Sequence, residues 1–257
     1  MFISKMEDGS VECFLSFQGE GATIGEPCVF VRLAGCSCSC SYCDTAYTWL
    51  FQESGAVSSE YFKAVNKNDY VTEIAVDELV QEIKNAAGQV RRVVFTGGEP
   101  LLQQDDVIKI MESLGEGWDF EVETNGTIML KPELISKLSN INCSPKLSSS
   151  GNDLDKRDIP EVIKLLVDIK NWDSPKLPKI IFKFVVTKET LEEDMAEIRE
   201  WQLKYGVQNN QVYLMPEGVE AKRIKKGLVR LLKVCKEEGY KLSPRVQILV
   251  YGQKRMT

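Results

Sequence analysis

Histidine is absent from this chain of 257 residues. Imidazole is the usual proton shuttle near neutral pH and the commonest nitrogen ligand of zinc. Its absence excludes Ser-His-Asp and Cys-His triads, histidine general bases, and Cys2His2 or Cys3His zinc sites. No basic start leads into an apolar core and a small-residue cleavage site, and no apolar run is long enough to cross a bilayer. The expectation is therefore a cytoplasmic protein with no membrane partner. A dinucleotide glycine fingerprint is also missing, and a formal net charge of -6 leaves no basic excess to attract nucleic acid.

What remains is an ordinary globular composition, 43% hydrophobic and 27% charged. The length suits one α/β domain spanning 1–257. Short β-branched runs, Val29 to Ala34, Val93 to Thr96, Phe120 to Glu123, Ile141 to Cys143, Ile180 to Val186, Val212 to Met215 and Val246 to Val250, predict strands. Between them Val76 to Ala87, Asp105 to Leu114, Pro132 to Leu138, Pro160 to Asp168, Leu191 to Tyr205 and Glu220 to Glu238 carry apolar residues at helical spacing. This β-α alternation predicts a parallel sheet, and the missing glycine fingerprint favours a barrel or partial barrel over an open nucleotide-binding sheet. Residues 50–73 are weakly patterned and polar, so they read as an insertion or lid.

Several predicted strands end in polar clusters, at Thr96-Gly97-Gly98-Glu99-Pro100, Glu123-Thr124-Asn125-Gly126, Ser144-Pro145-Lys146 and Met215-Pro216-Glu217-Gly218. Functional groups of parallel α/β proteins collect at such C-terminal strand ends. The first strand runs into Cys36, Cys40 and Cys43, spaced C-x3-C-x2-C. Three thiolates on one short loop suit a 4Fe-4S cluster that leaves one iron open to a small molecule. Zinc is the competing reading, but a closed site needs a fourth ligand, and Cys38 sits inside the C-x3-C spacing where geometry is poor. Cys13, Cys28, Cys143 and Cys235 are scattered and read as small buried apolar residues. The role of Cys38 stays open.

The C-x3-C-x2-C loop, with Tyr42 before its last cysteine, and the later Gly97-Gly98-Glu99-Pro100 resemble the radical S-adenosylmethionine (SAM) superfamily. Phe17-Gln18-Gly19-Glu20-Gly21 before the first strand, Arg32 four residues ahead of Cys36, and Cys43-Asp44-Thr45 narrow the resemblance to the 7-carboxy-7-deazaguanine synthase family. It extends through Glu123 to Gly126, Ser144 to Lys146 and Tyr251 to Arg255.

The resemblance implies a modified or partial (β/α) TIM-like barrel and a lyase using a 4Fe-4S cluster, SAM and Mg2+. In that family 6-carboxy-5,6,7,8-tetrahydropterin contracts to 7-carboxy-7-deazaguanine with loss of ammonia, through a 5′-deoxyadenosyl radical. Cys36, Cys40 and Cys43 would bind the cluster, and Thr45 the Mg2+. Phe17, Gln18, Gly19, Glu20, Arg32, Thr96 and Thr257 would contact the substrate. Tyr42, Cys43, Asp44, Gly98, Ser144, Pro145, Lys146, Met215, Pro216, Glu217 and Gly218 would line the SAM pocket. Glu20 suits a pterin edge, where an amino group and a ring N–H lie side by side for one carboxylate. Arg32, in an apolar strand, needs an anion such as the substrate carboxylate. A reducing partner such as flavodoxin or ferredoxin and a homodimer are further expectations. The alternatives are a glycyl-radical-enzyme activating enzyme and a non-enzymatic zinc or electron-transfer module.

Overall fold

The computed structural model describes residues 1–54, 58–171 and 177–257. Its ten strands are β1 (Phe2–Ser4), β2 (Cys13–Phe17), β3 (Pro27–Leu33), β4 (Val71–Glu73), β5 (Arg92–Gly97), β6 (Asp119–Thr124), β7 (Asn140–Cys143), β8 (Lys179–Val186), β9 (Val212–Pro216) and β10 (Lys241–Leu242). The helices are α1 (Lys67–Tyr70), α2 (Val76–Ala87), α3 (Gln104–Leu114), α4 (Pro132–Ile135), α5 (Leu154–Arg157), α6 (Pro160–Asn171), α7 (Leu191–Tyr205), α8 (Ala221–Glu238) and α9 (Val246–Tyr251).

All strands join one sheet in the order β10-β9-β8-β7-β6-β5-β3-β1-β4, with β2 also paired to β3. From β3 to β10 every neighbour is parallel, while β1, β2 and β4 pair antiparallel. The sheet stays open, because β3 pairs on its outer edge with β1 and β2 rather than with β10. This is the partial barrel expected. No helix among the described residues is long and apolar enough to cross a membrane.

The strands alternate strictly, as a sheet with two different faces requires. Val29, Val31, Leu33, Val93, Phe95, Phe120, Val122, Ile141, Phe182 and Phe184 join one buried apolar cluster with the inner faces of α2, α3, α6 and α7. Arg32, Thr96, Glu123, Asn142 and Lys183 occupy the alternate positions and face a cavity.

One expected strand is a helix. Val246 to Val250 forms α9, closed by N–H donation from Leu249 to the Arg245 carbonyl and from Gly252 to that of Ile248. Only Ile248 is buried there, so the β-branched run never meets a sheet edge; the two-residue β10 takes the place beside β9 instead. The 50–73 excursion carries α1 and β4, and Phe51 bridges to Val65. Residues 55–57 of it lie outside the described residues.

The end of β5 is tightly constrained. Gly97 has φ +121°, and a Cβ there would collide with the Leu33 carbonyl oxygen of β3. Gly97→Ala combines a disfavoured backbone with a backbone clash, and is expected to cost about 2 to 4 kcal/mol. The midpoint of denaturant unfolding measures this; an unchanged midpoint would contradict the packing described.

Candidate active site

The C-terminal ends of the parallel strands open into one cavity of about 490 Å³. The cysteine loop after β3, the Gly-Gly loop after β5, Thr124 and Asn125 after β6, Ser144 and Lys146 after β7, and Met215, Glu217 and Gly218 at β9 all line it. On its other wall stand Phe17, Gln18, Gly19 and Glu20, with the C-terminal stretch from Gly252 to Thr257.

Cys36, Cys38, Cys40 and Cys43 face this space as free thiols. The loop is held from both sides. Asn152 Oδ1 accepts from the Ser39 N–H (2.8 Å), the Ser41 N–H donates to the Ser150 carbonyl (2.9 Å), and the Glu60 N–H donates to the Ser41 carbonyl (2.6 Å). Burial pushes the Cys43 thiol up to about 11, with the Asp44 charge adding to it and the Trp49 N–H working against it. Free thiols of this kind are poor nucleophiles. Cys38 is buried, and its sulfur accepts from Asn125 Nδ2 (3.5 Å).

The Gly-Gly loop packs against the cysteine loop directly. The Gly98 N–H donates to the Leu33 carbonyl (3.0 Å), the Glu99 N–H to that of Gly35 (2.8 Å), and a Cβ on Gly98 would strike the Gly35 oxygen. Glu99 is fully buried and accepts from Thr124 Oγ1 (2.9 Å), the Asn125 N–H (2.7 Å) and the Leu101 N–H (3.1 Å). It ties the end of β5 to the end of β6.

The opposite wall is ionic. Glu20 pairs with Lys183 Nζ (2.5 Å) and Arg245 Nε (3.0 Å), and accepts from Gln247 Nε2 (2.7 Å). Arg245 reaches on to Asp44, on the cysteine loop. Burial raises the Glu20 carboxyl, but the charges of Lys183 and Arg245 outweigh it and hold the group well below the usual range. A Cβ on Gly19 would collide with the Gln247 side chain, so that glycine permits the close approach. Gln18 Nε2 donates to Glu121 (3.0 Å) and Glu123 (3.2 Å), and Thr96 Oγ1 donates to Glu123 (2.7 Å).

Arg32 lies 3.6 Å from the buried Glu12, which also pairs with Arg255 (3.0 Å). The Arg32 Nε has no hydrogen-bond partner among the described residues. Arg255 stacks over Tyr47, 4.1 Å from the ring centre, and donates to the Lys5 carbonyl (2.8 Å), which pins the C-terminus beside the cavity. Thr45 also lines the cavity, its hydroxyl 3.8 Å from the Cys43 sulfur.

Every candidate named from the sequence lines this one cavity except Pro145 and Pro216, which lie in the same loops. Sequence reasoning assigned no role to Glu12, Trp49, Glu123, Asn125, Asn152, Lys183, Arg245 and Gln247, although Glu123 and Asn125 stand in one of the polar strand ends singled out above. A signal existed for two of them: Phe120-Glu121-Val122-Glu123 and Phe182-Lys183-Phe184 place charges at alternate positions of otherwise apolar strands, as Arg32 does. Arg245 and Gln247 were hidden by the mistaken strand.

The profile described as Radical SAM superfamily matches residues 31–145. A 7-carboxy-7-deazaguanine synthase of Pyrobaculum aerophilum is 32% identical over 252 residues, covering 95% of this chain and 95% of the relative. That of Hyperthermus butylicus is 32% identical over 248 residues, covering 93% and 91%. Among solved structures, the crystal structure of QueE from Escherichia coli shares the fold, with a TM-score of 0.61 at 22% identity over 95% of this chain and 93% of that one.

The match to the radical SAM superfamily over residues 31–145 implies a 4Fe-4S cluster and SAM. The residues present fit both. Cys36, Cys40 and Cys43 face one cavity from a single loop as free thiols, which suits a cubane whose cysteines each bind a different iron. The glycine-built loop and the polar strand ends beside the thiols offer backbone and side-chain groups to a polar cofactor.

Burial raises the Glu99 carboxyl to about 7 against an ordinary 4.5, with the hydrogen bonds from Asn125, Leu101 and Thr124 offsetting only part of it. The folded chain therefore keeps a proton that the unfolded chain loses as pH rises from 4.5 to about 7. Stability falls across that window and levels off above it. Glu99→Gln is expected to remove this decline, a change on the order of 3 kcal/mol in the pH 5 to pH 8 difference. Denaturant unfolding at the two pH values checks it; the same decline in both proteins would contradict the assignment.

Proposed function

The chain belongs to the 7-carboxy-7-deazaguanine synthase family, and from that membership we propose that it converts 6-carboxy-5,6,7,8-tetrahydropterin to 7-carboxy-7-deazaguanine and ammonia in 7-deazapurine and queuosine biosynthesis. The observation that carries this reading is one cavity with thiols on one wall and a buried ionic set on the other. When bound, the cluster and SAM supply one-electron cleavage and hydrogen-atom abstraction. The protein's own residues bind, orient and shield.

Cys36, Cys40 and Cys43 would each hold one iron. Tyr42, Asp44, Gly98, Ser144, Lys146, Met215, Glu217 and Gly218 flank the space beside them, where SAM would lie, and Pro145 and Pro216 fix the course of two of these loops. Lys146 Nζ donates to Ser144 Oγ (3.0 Å), which keeps the cation on this wall.

On the other wall Glu20 is ionised whenever Lys183 and Arg245 face it, so it is ready to accept the paired N–H groups of a pterin edge. Substrate would take over the contact made by Gln247 or Lys183. Among the described residues Arg32 has one acidic neighbour within 4 Å, Glu12, and shares it with Arg255, which leaves capacity for the substrate carboxylate. Phe17, Gln18, Gly19, Thr96 and Thr257 complete that wall. Thr45 offers the hard oxygen that Mg2+ accepts. The proposal treats 1–257 as one domain whose 50–73 excursion acts as a lid; Phe62 lines the cavity and Tyr61 bonds Glu217. On the family alone it extends to a homodimer and an electron donor of the flavodoxin or ferredoxin kind.

Anaerobically reconstituted protein supplied with SAM, reductant, Mg2+ and the carboxypterin is expected to release carboxydeazaguanine and ammonia. SAM cleavage without that product would sink the substrate assignment and leave the superfamily intact. In the same assay Glu20→Gln should weaken substrate binding by about 1.5 to 3 kcal/mol, the range for a charged hydrogen bond, and an unchanged KM would remove Glu20 from the site.

A further inference from the structure

We infer that Trp49, Asn152 and Asn125 are positioning residues that set the reduction potential of the cluster, each offering an N–H to a different ligand sulfur. The inference rests on Cys36, Cys40 and Cys43 being the cluster ligands, and on nothing about the pterin.

Trp49 Nε1 lies 3.3 Å from Cys43 Sγ, and an indole nitrogen can only donate. Asn152 Nδ2 lies 3.3 Å from Cys40 Sγ. The orientation of that amide follows from its other end, where Oδ1 accepts from the Ser39 N–H (2.8 Å), so the nitrogen must face the sulfur. Asn125 is oriented in the same way: Oδ1 accepts from the Thr127 N–H (3.0 Å) and Thr127 Oγ1 (2.7 Å). Its Nδ2 then faces Ser37 Oγ (2.9 Å), Cys38 Sγ (3.5 Å) and Cys36 Sγ (3.8 Å). Asn125, shared among three acceptors, has the weakest hold on its ligand.

The three donors come from separate places in the fold, after β6, after β7 and after the cysteine loop itself. Asn125 and Asn152 are buried. All three are uncharged, so they cost little to bury and do not titrate. A reduced cluster carries one more negative charge than an oxidised one, spread onto its thiolates. N–H donors aimed at those sulfurs stabilise the reduced form more and raise the potential. A cluster that must accept one electron from outside benefits from such donors, which add to the backbone N–H that Cys38 offers Cys36 Sγ (3.4 Å).

Two substitutions test the effect, Trp49→Phe with no change of charge and Asn152→Asp with an added negative charge that acts in the same direction. Trp49→Phe keeps the ring and removes the N–H; Asn152→Asp keeps the acceptor for Ser39 and turns the donor into an acceptor. Trp118→Phe, at the opposite end of the sheet just before β6, is the control. The readout is the midpoint potential of the reconstituted cluster in the full chain, followed by electron paramagnetic resonance in a redox titration, with iron per chain measured alongside. Iron content is expected to match wild type in all three proteins. At the wild-type midpoint the reduced-to-oxidised ratio should fall about tenfold in Trp49→Phe and Asn152→Asp, equivalent to 59 mV for one electron, and stay unchanged in Trp118→Phe. A wild-type potential in Trp49→Phe, or loss of iron from both site variants, would overturn the inference. Wild-type protein that binds no iron would overturn the cluster reading beneath it, whereas failure to convert the pterin at a normal potential strikes only the substrate proposal.

Discussion

Glu20, Lys183, Arg245 and Asp44 form the interaction on which the cavity depends. Lys183 and Arg245 are buried, Glu20 is nearly so, and Asp44 is partly exposed. Taking such charges out of water costs several kcal/mol for each buried ion, and they persist only when each meets an opposite charge at close range. Here they come from four distant stretches: the loop after β2, the middle of β8, the segment before α9 and the end of the cysteine loop. The Glu20 to Arg245 contact spans 225 positions of the chain. Closing the substrate wall therefore also fixes the cysteine loop, through the Arg245 bond to Asp44. Removing Glu20 would leave Lys183 with only the longer contact to Glu123 (3.8 Å) and Arg245 with Asp44.

That arrangement also explains the course of the C-terminus. Arg245 turns inward at the start of α9, Gln247 reaches Glu20, and Arg255 returns to Glu12 under Arg32. The last turns of the chain are thus part of the site rather than an appendage to it. The antiparallel β2 serves the same end, since Glu12 and Gln18 flank its two ends and it carries them to the edge of β3.

Most of the fold was legible because it is local. Six expected strands and six expected helices appear within a few residues of where β-branched runs and helical spacing put them, and the cysteine and Gly-Gly loops fall at strand ends as α/β topology requires. Val246 to Val250 failed because four apolar residues around Gln247 suit a strand or a buried helix equally, and only the packing of Ile248 decides. β1, β4 and β10 were too short to show a period. The thiols and glycines of the site could be read because their chemistry is carried by spacing within one loop. Arg245 and Glu12 could not, because their meaning lies in partners brought together only by the finished sheet.

In the proposed function the cavity is a single compartment, with cluster and SAM on the cysteine wall and the pterin against the ionic wall. A structure of the reconstituted protein with SAM and 6-carboxy-5,6,7,8-tetrahydropterin bound measures this most directly. The expected result is a pterin edge on the Glu20 carboxylate, its own carboxylate at Arg32, and SAM between the ring and the three cysteines. A pterin bound elsewhere, with Glu20 still closed against Lys183 and Arg245 and untouched by ligand, would contradict it.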